Sequence, residues 1–206
     1  MPNSAPRRPA PLNSAVYSDL LTHAVESSSF SEFAQLVARH AATQLGAQGA
    51  AVTRRVEDML VYESAIGSVS QAAGRSINIH SSVSGSVLLD GKTVLFDPAN
   101  AGNPGDERTL SDGVGSGIIA PIFVDGVAVG TIGVASSVAD PFGPQDVDGL
   151  EHLAKFLGIS LKLRADRARL QHLERLSTLG TKTAVVAHEV NSPLTWFRLS
   201  LHELRA

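Results

Sequence analysis

The sequence predicts an α+β fold in which an antiparallel sheet is flanked by helices and followed by one long C-terminal helix. Three observations support this class. Apolar residues recur at helical spacing over residues 14–45, short segments rich in Val and Ile occupy residues 49–136, and residues 145–206 show a helical pattern without strand signals. We expect the closing helix to pack back on the sheet, which would then be covered on one face.

The N-terminal helical region is expected to form two helices that are separated at Ser27–Ser29. Serine is a favourable N-cap because its hydroxyl accepts a hydrogen bond from a free backbone N–H, and Gly46 stands where a glycine would end the second helix. Residues 1–13 contain Pro and Arg but no apolar stretch. They are therefore expected to form a flexible tail and not a secretory signal.

The strand region begins with a predicted hairpin. The segments GAAVTRRV and MLVYESAI are separated by Glu57 and Asp58, and RSINIH alternates apolar and polar side chains like a strand. SGSVLLDG predicts a single helical turn that ends at Asp90 and Gly91, and TVLF predicts a further short strand. Residues 97–117 are dominated by polar and turn-forming residues, so we expect a loop there.

A second hairpin is indicated by GIIAPIFV and VAVGTIGVAS, which flank Asp125 and Gly126. An Asp-Gly pair between two strands favours a type I′ turn, because that turn needs positive φ at both central positions. After PFGPQD the helical pattern resumes.

Composition excludes several classes of site. The chain of 206 residues has no cysteine, which excludes disulfides, thiolate zinc sites, a cysteine nucleophile and a thioether-linked chromophore, and favours a cytoplasmic protein. The formal net charge of -3 gives no support for nucleic-acid binding. No apolar run approaches the roughly 20 residues that a membrane span requires, so we expect none.

The middle of the chain resembles a GAF domain, over residues 14–162. The resemblance is carried by SGSVLLDGKTVLFDP, by the hairpin GIIAPIFVDGVAVGTIGVASS and by the helix PFGPQDVDGLEHLAKFLGISL. It implies a sensor domain with a pocket for a small-molecule ligand, formed around residues 76–89 and 97–117. Nothing in those segments indicates which ligand would bind.

The C-terminal helix carries a narrow apolar seam with steps of three or four residues, which is typical of helix pairing. Charge at Arg164–Arg169 interrupts the seam and predicts a coiled-coil linker over residues 163–180. We expect parallel pairing in a homodimer, with core packing inside a monomer as the alternative. The seam positions are Leu170, Leu173, Leu176, Leu179, Thr183, Val186, Val190, Leu194, Phe197, Leu201 and Leu204.

The stretch AVVAHEVNSPL places four chemically distinctive residues within this helix. At about 100° per residue, His188 points away from the seam and toward solvent, while Glu189 and Asn191 lie on the flanks. Pro193 lacks a backbone N–H, so it should bend or loosen the helix about one turn after His188. An exposed neutral imidazole with an adjacent carboxylate has the two groups that a phosphoryl acceptor needs.

AVVAHEVNSPLTWF resembles the phosphoacceptor box of sensor histidine kinases in two-component systems. The resemblance implies that His188 is phosphorylated, that Glu189 is its acid–base partner and that Asn191 acts in phosphotransfer or dephosphorylation. It also implies that residues 181–206 form the first helix of a dimerisation domain. ATP and Mg²⁺ would bind a catalytic domain that this sequence lacks, and the phosphate would pass to an aspartate of a response regulator. We therefore expect an N-terminal fragment of a longer kinase, inactive alone.

A second function stays open: a GAF module that binds a ligand or dimerises and regulates a non-kinase output, such as a cyclase, a phosphatase or a transcription factor. Other sites have less support. HEVNS lacks the second histidine of the H-E-x-x-H zinc motif, and Gly113–Gly117 leads into a strand and not a helix, so it is read as loop. His80 could ligate haem or a metal, but we favour a solvated histidine, and no metal site is expected.

Overall fold

The computed structural model describes residues 20, 22–24, 29–96, 114–138 and 142–203, with side chains as far as Arg175. The chain divides into two compact units, Met1–Lys162 and Leu163–Ala206, which are described separately.

The first unit opens with helix α1, Phe30–Leu45. Ser29 caps it as predicted: the Glu32 N–H donates to the Ser29 hydroxyl, and the Glu32 carboxylate accepts the Ser29 N–H. Gly46 ends the helix in the left-handed conformation, with φ of 62°, which also agrees with the prediction. Of the earlier predicted helix, the structure describes Leu20 and residues 22–24, and all four are helical.

In the described part of the chain, six antiparallel strands form one sheet: β1 (Gly49–Val56), β2 (Met59–Gly67), β3 (Ser76–Asn78), β4 (Val94–Phe96), β5 (Ser116–Val124) and β6 (Val127–Ser136). Their order across the sheet is β3-β2-β1-β6-β5-β4. The α+β class with an antiparallel sheet flanked by helices is therefore confirmed.

Both predicted hairpins are present. β1 and β2 are joined through Glu57 and Asp58, with φ of 54° at Glu57. β5 and β6 are joined through Asp125 and Gly126, whose φ values of 50° and 81° are both positive, as the predicted turn requires.

Three boundaries differ from the predictions. The strand predicted in RSINIH stops at Asn78, because the Asn78 side chain accepts the His80 N–H and starts a 3-10 turn, Ile79–Ser81. The single turn predicted in SGSVLLDG is the two-turn helix α2, Val83–Asp90, capped by Ser82 and ended by Gly91. Ser116 and Gly117, assigned to a loop from sequence, begin β5.

The two faces of the sheet are covered by different helices. On one face, the α1 face, buried Ile118, Ile132 and Val134 pack with α1 and with the closing helix α3 (Pro144–Glu203). On the other, the α2 face, Ile119 and Ala135 pack with Val87 of α2. The prediction that one face alone is covered is therefore wrong. Strand alternation sends neighbouring residues of β5 and β6 to opposite faces, and both sets are apolar.

Helix α3, Pro144–Glu203, begins in the first unit and continues through the second. Its start is capped by Asp146, whose Oδ2 accepts the Gly143 N–H at 2.7 Å. Leu150, Leu153 and Leu157 are fully buried in the α1-face core. In the second unit Leu170 and Leu173 are 61% and 52% exposed. None of the helices in the described part of the chain is long and apolar enough to span a bilayer.

Candidate functional site

The α2 face of the sheet is the first candidate site. Two small clusters cover it: the α2 cluster of Val83, Val87, Phe96, Val114, Ile119 and Ala135, and the adjoining cluster of Leu60, Ile79 and Leu88. Both are formed between α2 and the strands. The segment predicted to complete the pocket, residues 97–113, lies outside the described residues.

Two glycines allow close packing at this face. An added Cβ at Gly85 of α2 would overlap the Ile79 carbonyl, so the first turn of α2 is held directly against the 3-10 turn. An added Cβ at Gly117 would overlap the Phe96 ring, which packs over the start of β5. Larger residues at these positions would push α2 or β4 away from the sheet.

A pair of hydroxyls lies in the middle of the sheet. Thr53 of β1 and Thr131 of β6 are directly paired and are 3% and 2% exposed. Their Oγ1 atoms lie 2.7 Å apart, and the Thr53 hydroxyl also accepts the Thr131 N–H at 3.2 Å. The pair satisfies its own hydrogen bonds, as buried polar groups must.

By strand alternation, Thr53 and Thr131 lie on the α2 face of the sheet, together with its two apolar clusters. Among the residues that the structure describes, no three His, Asp or Glu side chains converge as metal ligands. His80 is exposed, and its backbone N–H donates to Asn78 Oδ1 at 2.8 Å. These clusters offer a ligand apolar contact.

The phosphoacceptor box is the second candidate site. His188, Glu189, Asn191 and Pro193 all lie within the helical span of α3. Their side chains lie outside the described residues, so the outward orientation of His188 and the bend at Pro193 stay predictions. The sequence-predicted site residues of the two candidate sites belong to different units of the chain.

Comparison with family models assigns residues 27–162 to the GAF domain. That span covers well over half of the chain, and it contains all six strands, α1, α2 and the first part of α3. The chain belongs to the GAF domain family. The GAF domain ends at the residue where the first compact unit ends, Lys162.

Several solved structures have the same fold. The GAF domain of an Acinetobacter phosphoenolpyruvate-protein phosphotransferase matches with a TM-score of 0.62 at 11% identity, over 74% of this chain and 94% of that one. Free methionine-R-sulfoxide reductase from Neisseria meningitidis, in complex with its substrate, matches with a TM-score of 0.61 at 21% identity, over 77% and 95%. These likenesses establish the fold alone.

A third solved relative carries a chromophore. The phycoerythrobilin-bound GAF domain of a cyanobacterial phytochrome matches with a TM-score of 0.63 at 13% identity, over 74% of this chain and 95% of that chain. Comparison with curated protein sequences gives no significant match. The assignment to the GAF family therefore rests on the match to the family model.

Sequence reasoning missed the hydroxyl pair and the second layer formed by α2. The signal for the pair was available, because VTRR and VGTIG each place one threonine in an apolar strand. Their pairing depends on β1 lying next to β6, which adjacent sequence does not reveal. The helix α2 is longer than the predicted single turn although it contains Gly85, a residue type that disfavours helices.

Proposed function

We propose that this chain is the input portion of a two-component sensor histidine kinase, with His188 as the phosphoacceptor. One observation carries the proposal: a single helix, Pro144–Glu203, begins in the GAF domain and contains the sequence HEVNSPL. A sensor domain and an acceptor motif on one helix can be coupled through that helix. This favours the kinase over the alternative, a GAF module that regulates a non-kinase output.

The proposed reaction has two steps. A nitrogen of the His188 imidazole attacks the γ-phosphorus of ATP, the bond to the β–γ bridging oxygen breaks, and ADP leaves. An aspartate of a response regulator then attacks the phosphorus, and the N–P bond breaks. Glu189 would hold the other ring N–H and stabilise the imidazolium during transfer, and Asn191 would orient the attacking group or water. ATP and Mg²⁺ would be held by a separate catalytic domain.

We also propose a cytoplasmic homodimer in which the α3 helices pair in parallel. Leu163, Leu170 and Leu173 are 47%, 61% and 52% exposed in the single chain. Leu163 and Leu170 are one heptad apart, and Leu173 follows three residues later, which is the a, a, d spacing of a two-stranded coiled coil. Exposed leucines in this register favour a second copy over packing within a monomer.

The proposed input is a small molecule bound between α2 and the sheet. The apolar clusters on this face favour an apolar or aromatic ligand, and one relative in the fold family holds a bilin. Because this chain has no cysteine, a bilin would be held without a thioether bond.

Phosphorylation in trans tests the kinase proposal. The chain would be incubated with radiolabelled ATP and an ATP-binding domain from a histidine kinase, and label on the chain would be measured after electrophoresis. We expect acid-labile label on the wild-type chain and none on His188→Gln. His172→Gln is the matched control, because His172 is an exposed histidine of the same helix. Equal labelling of the wild-type chain and His188→Gln would remove the assignment.

A further inference from the structure

Helix α3 contacts the rest of the GAF domain along a second line, separate from its core face. Thr93 Oγ1 donates to Glu151 Oε1 at 2.7 Å, Gly158 lies against the Phe123 carbonyl, and Lys162 Nζ lies 2.7 Å from Asp125 Oδ1. Positions 151, 158 and 162 fall within about 20° of one line at 100° per residue. One side of α3 therefore follows two neighbouring connections of the domain.

The partners of this line belong to the α2–β4 connection and to the β5–β6 hairpin, and these two segments also touch each other. An added Cβ at Gly91, the C-cap of α2, would lie 3.2 Å from Phe123 Cζ. The Phe123 ring is thus in contact with the end of α2 while its carbonyl is in contact with α3. Thr93, two residues after Gly91, makes the direct hydrogen bond to α3.

These contacts run around the edge of the sheet. α2 packs on one face and α3 on the other, and β4, which follows Thr93 directly, is the edge strand. A displacement of α2 can therefore reach α3 without deforming the paired central strands. The side chains of Lys162 and Asp125 are 48% and 65% exposed, so their ion pair adds little to the coupling between α2 and α3.

The two ends of α2 are held differently. At its first turn, Gly85 is in backbone contact with the Ile79 carbonyl, where no Cβ would fit. At its last turn, Leu89 is 50% exposed, and the contacts of the following residues are with Phe123 and Glu151. A change beneath α2 should therefore move its C-terminal end more than its N-terminal end.

We propose that Thr93, Glu151 and Phe123, whose ring contacts Gly91 and whose carbonyl contacts Gly158, form a latch that passes movement of α2 to α3. The latch joins the layer that would contact a ligand to the helix that carries the phosphoacceptor box, and as a regulatory device it rests on the proposed function. Thr93 and Glu151 are positioning residues in it. The hydrogen bond is the specific element, because it joins the two layers directly.

Hydrogen exchange of the chain itself tests the latch, with a core substitution in place of the unidentified ligand. Val87→Ala removes methyl groups beneath α2, where Val87 is 1% exposed. We expect faster exchange in α2 and an increase of at least about twofold at residues 151–162, the scale of coupling between residues that share a network. In the Thr93→Val background, exchange in α2 should still increase, whereas the increase at residues 151–162 should disappear. Thr93→Ser, which keeps the hydroxyl, should restore the increase at residues 151–162.

The matched control for Thr93→Val is Ser31→Ala, which removes a 2.7 Å hydrogen bond from Ser31 to the Glu63 carbonyl, a bond that does not involve α3. In the Ser31→Ala background, Val87→Ala should still increase hydrogen exchange at residues 151–162. If Val87→Ala does not fold, Val83→Ala perturbs the same cluster at the first turn of α2. An undiminished response of α3 in the Thr93→Val background would overturn the latch. Hydrogen exchange requires no phosphorylation, so failure of the latch proposal can be distinguished from failure of the His188 assignment.

Discussion

Thr53 and Thr131 form a polar pair in an otherwise apolar sheet centre, and the two hydroxyls are not equivalent. The Thr53 hydroxyl contacts both the hydroxyl and the backbone N–H of Thr131. Replacing one partner leaves the other buried without its hydrogen bond, which costs more than removing both. The stability of this site therefore depends on which threonine is changed.

Thr53→Val is expected to lower the free energy of unfolding more than Thr131→Val, each by on the order of 1–3 kcal/mol. The difference arises because Thr53→Val also removes the hydroxyl that accepts the Thr131 N–H. Urea unfolding of the two variants measures it. Thr43→Val, at an exposed position of α1, is the control and should change stability by less than about 0.5 kcal/mol. Equal losses for the two sheet variants would contradict the hydrogen-bond assignment.

A sequence shows the chemistry of its residue types more readily than it shows which distant residues come into contact. HEVNSPL indicates a phosphoacceptor because the imidazole, carboxylate and carboxamide occur together within four residues. The coupling residues Thr93 and Glu151 are 58 positions apart and are unremarkable singly. Their contact is determined by the packing of α3 along the sheet edge, which local sequence does not encode.

At the scale of elements, two glycines of α3 differ in what surrounds them. An added Cβ at Gly158 would overlap the Phe123 carbonyl, whereas one at Gly149 would meet only the flexible end of Leu45, 3.4 Å away. Both glycines lower helix propensity by about 1 kcal/mol relative to alanine. Close helix–strand packing therefore leaves no room for a side chain at position 158.

Gly158→Ala should destabilise the domain by about 1–3 kcal/mol, because the backbone of β5 must shift by more than the gain in helix propensity offsets. Gly149→Ala should be neutral or stabilise by up to about 1 kcal/mol. Thermal unfolding of both variants in the same buffer compares them. A stabilising Gly158→Ala would show that α3 does not lie against the hairpin in this way.

Elements with strong local signals were predicted well. Ser29 and Gly46 bound α1, and Asp125-Gly126 forms the hairpin turn, since caps and turns depend on neighbouring residues. The errors fall where a local hydrogen bond competes with an alternating pattern, as at Asn78, or where glycine occurs inside a helix, as at Gly85. A single turn at SGSVLLDG is too short to cover a sheet face, so the sequence prediction leaves the α2 face uncovered.

At the scale of the whole molecule, the proposed parallel dimer predicts a pattern of disulfide formation. The chain has no cysteine, so each introduced cysteine is unique. Leu170→Cys and Leu173→Cys lie in the exposed seam, and Ala168→Cys lies on the opposite side of the helix at about 100° per residue. Under mild oxidation we expect rapid cross-linking at positions 170 and 173 and slow cross-linking at 168.

Analytical ultracentrifugation tests the same seam by measuring the oligomeric state of the chain. Leu170→Glu with Leu173→Glu places like charges in the seam and should shift the chain toward the monomer. If all three cysteine positions cross-link at the same rate, or if the double glutamate variant stays dimeric, the seam is not the interface.

The central claim is that His188, among the seven histidines of the chain, accepts the phosphoryl group. The most direct measurement is mass-spectrometric mapping of the phosphate on intact chain that has been phosphorylated in trans and kept at alkaline pH. The account predicts phosphate on His188 and unmodified peptides for the other six. Phosphate on a different histidine, with His188 unmodified, would contradict it.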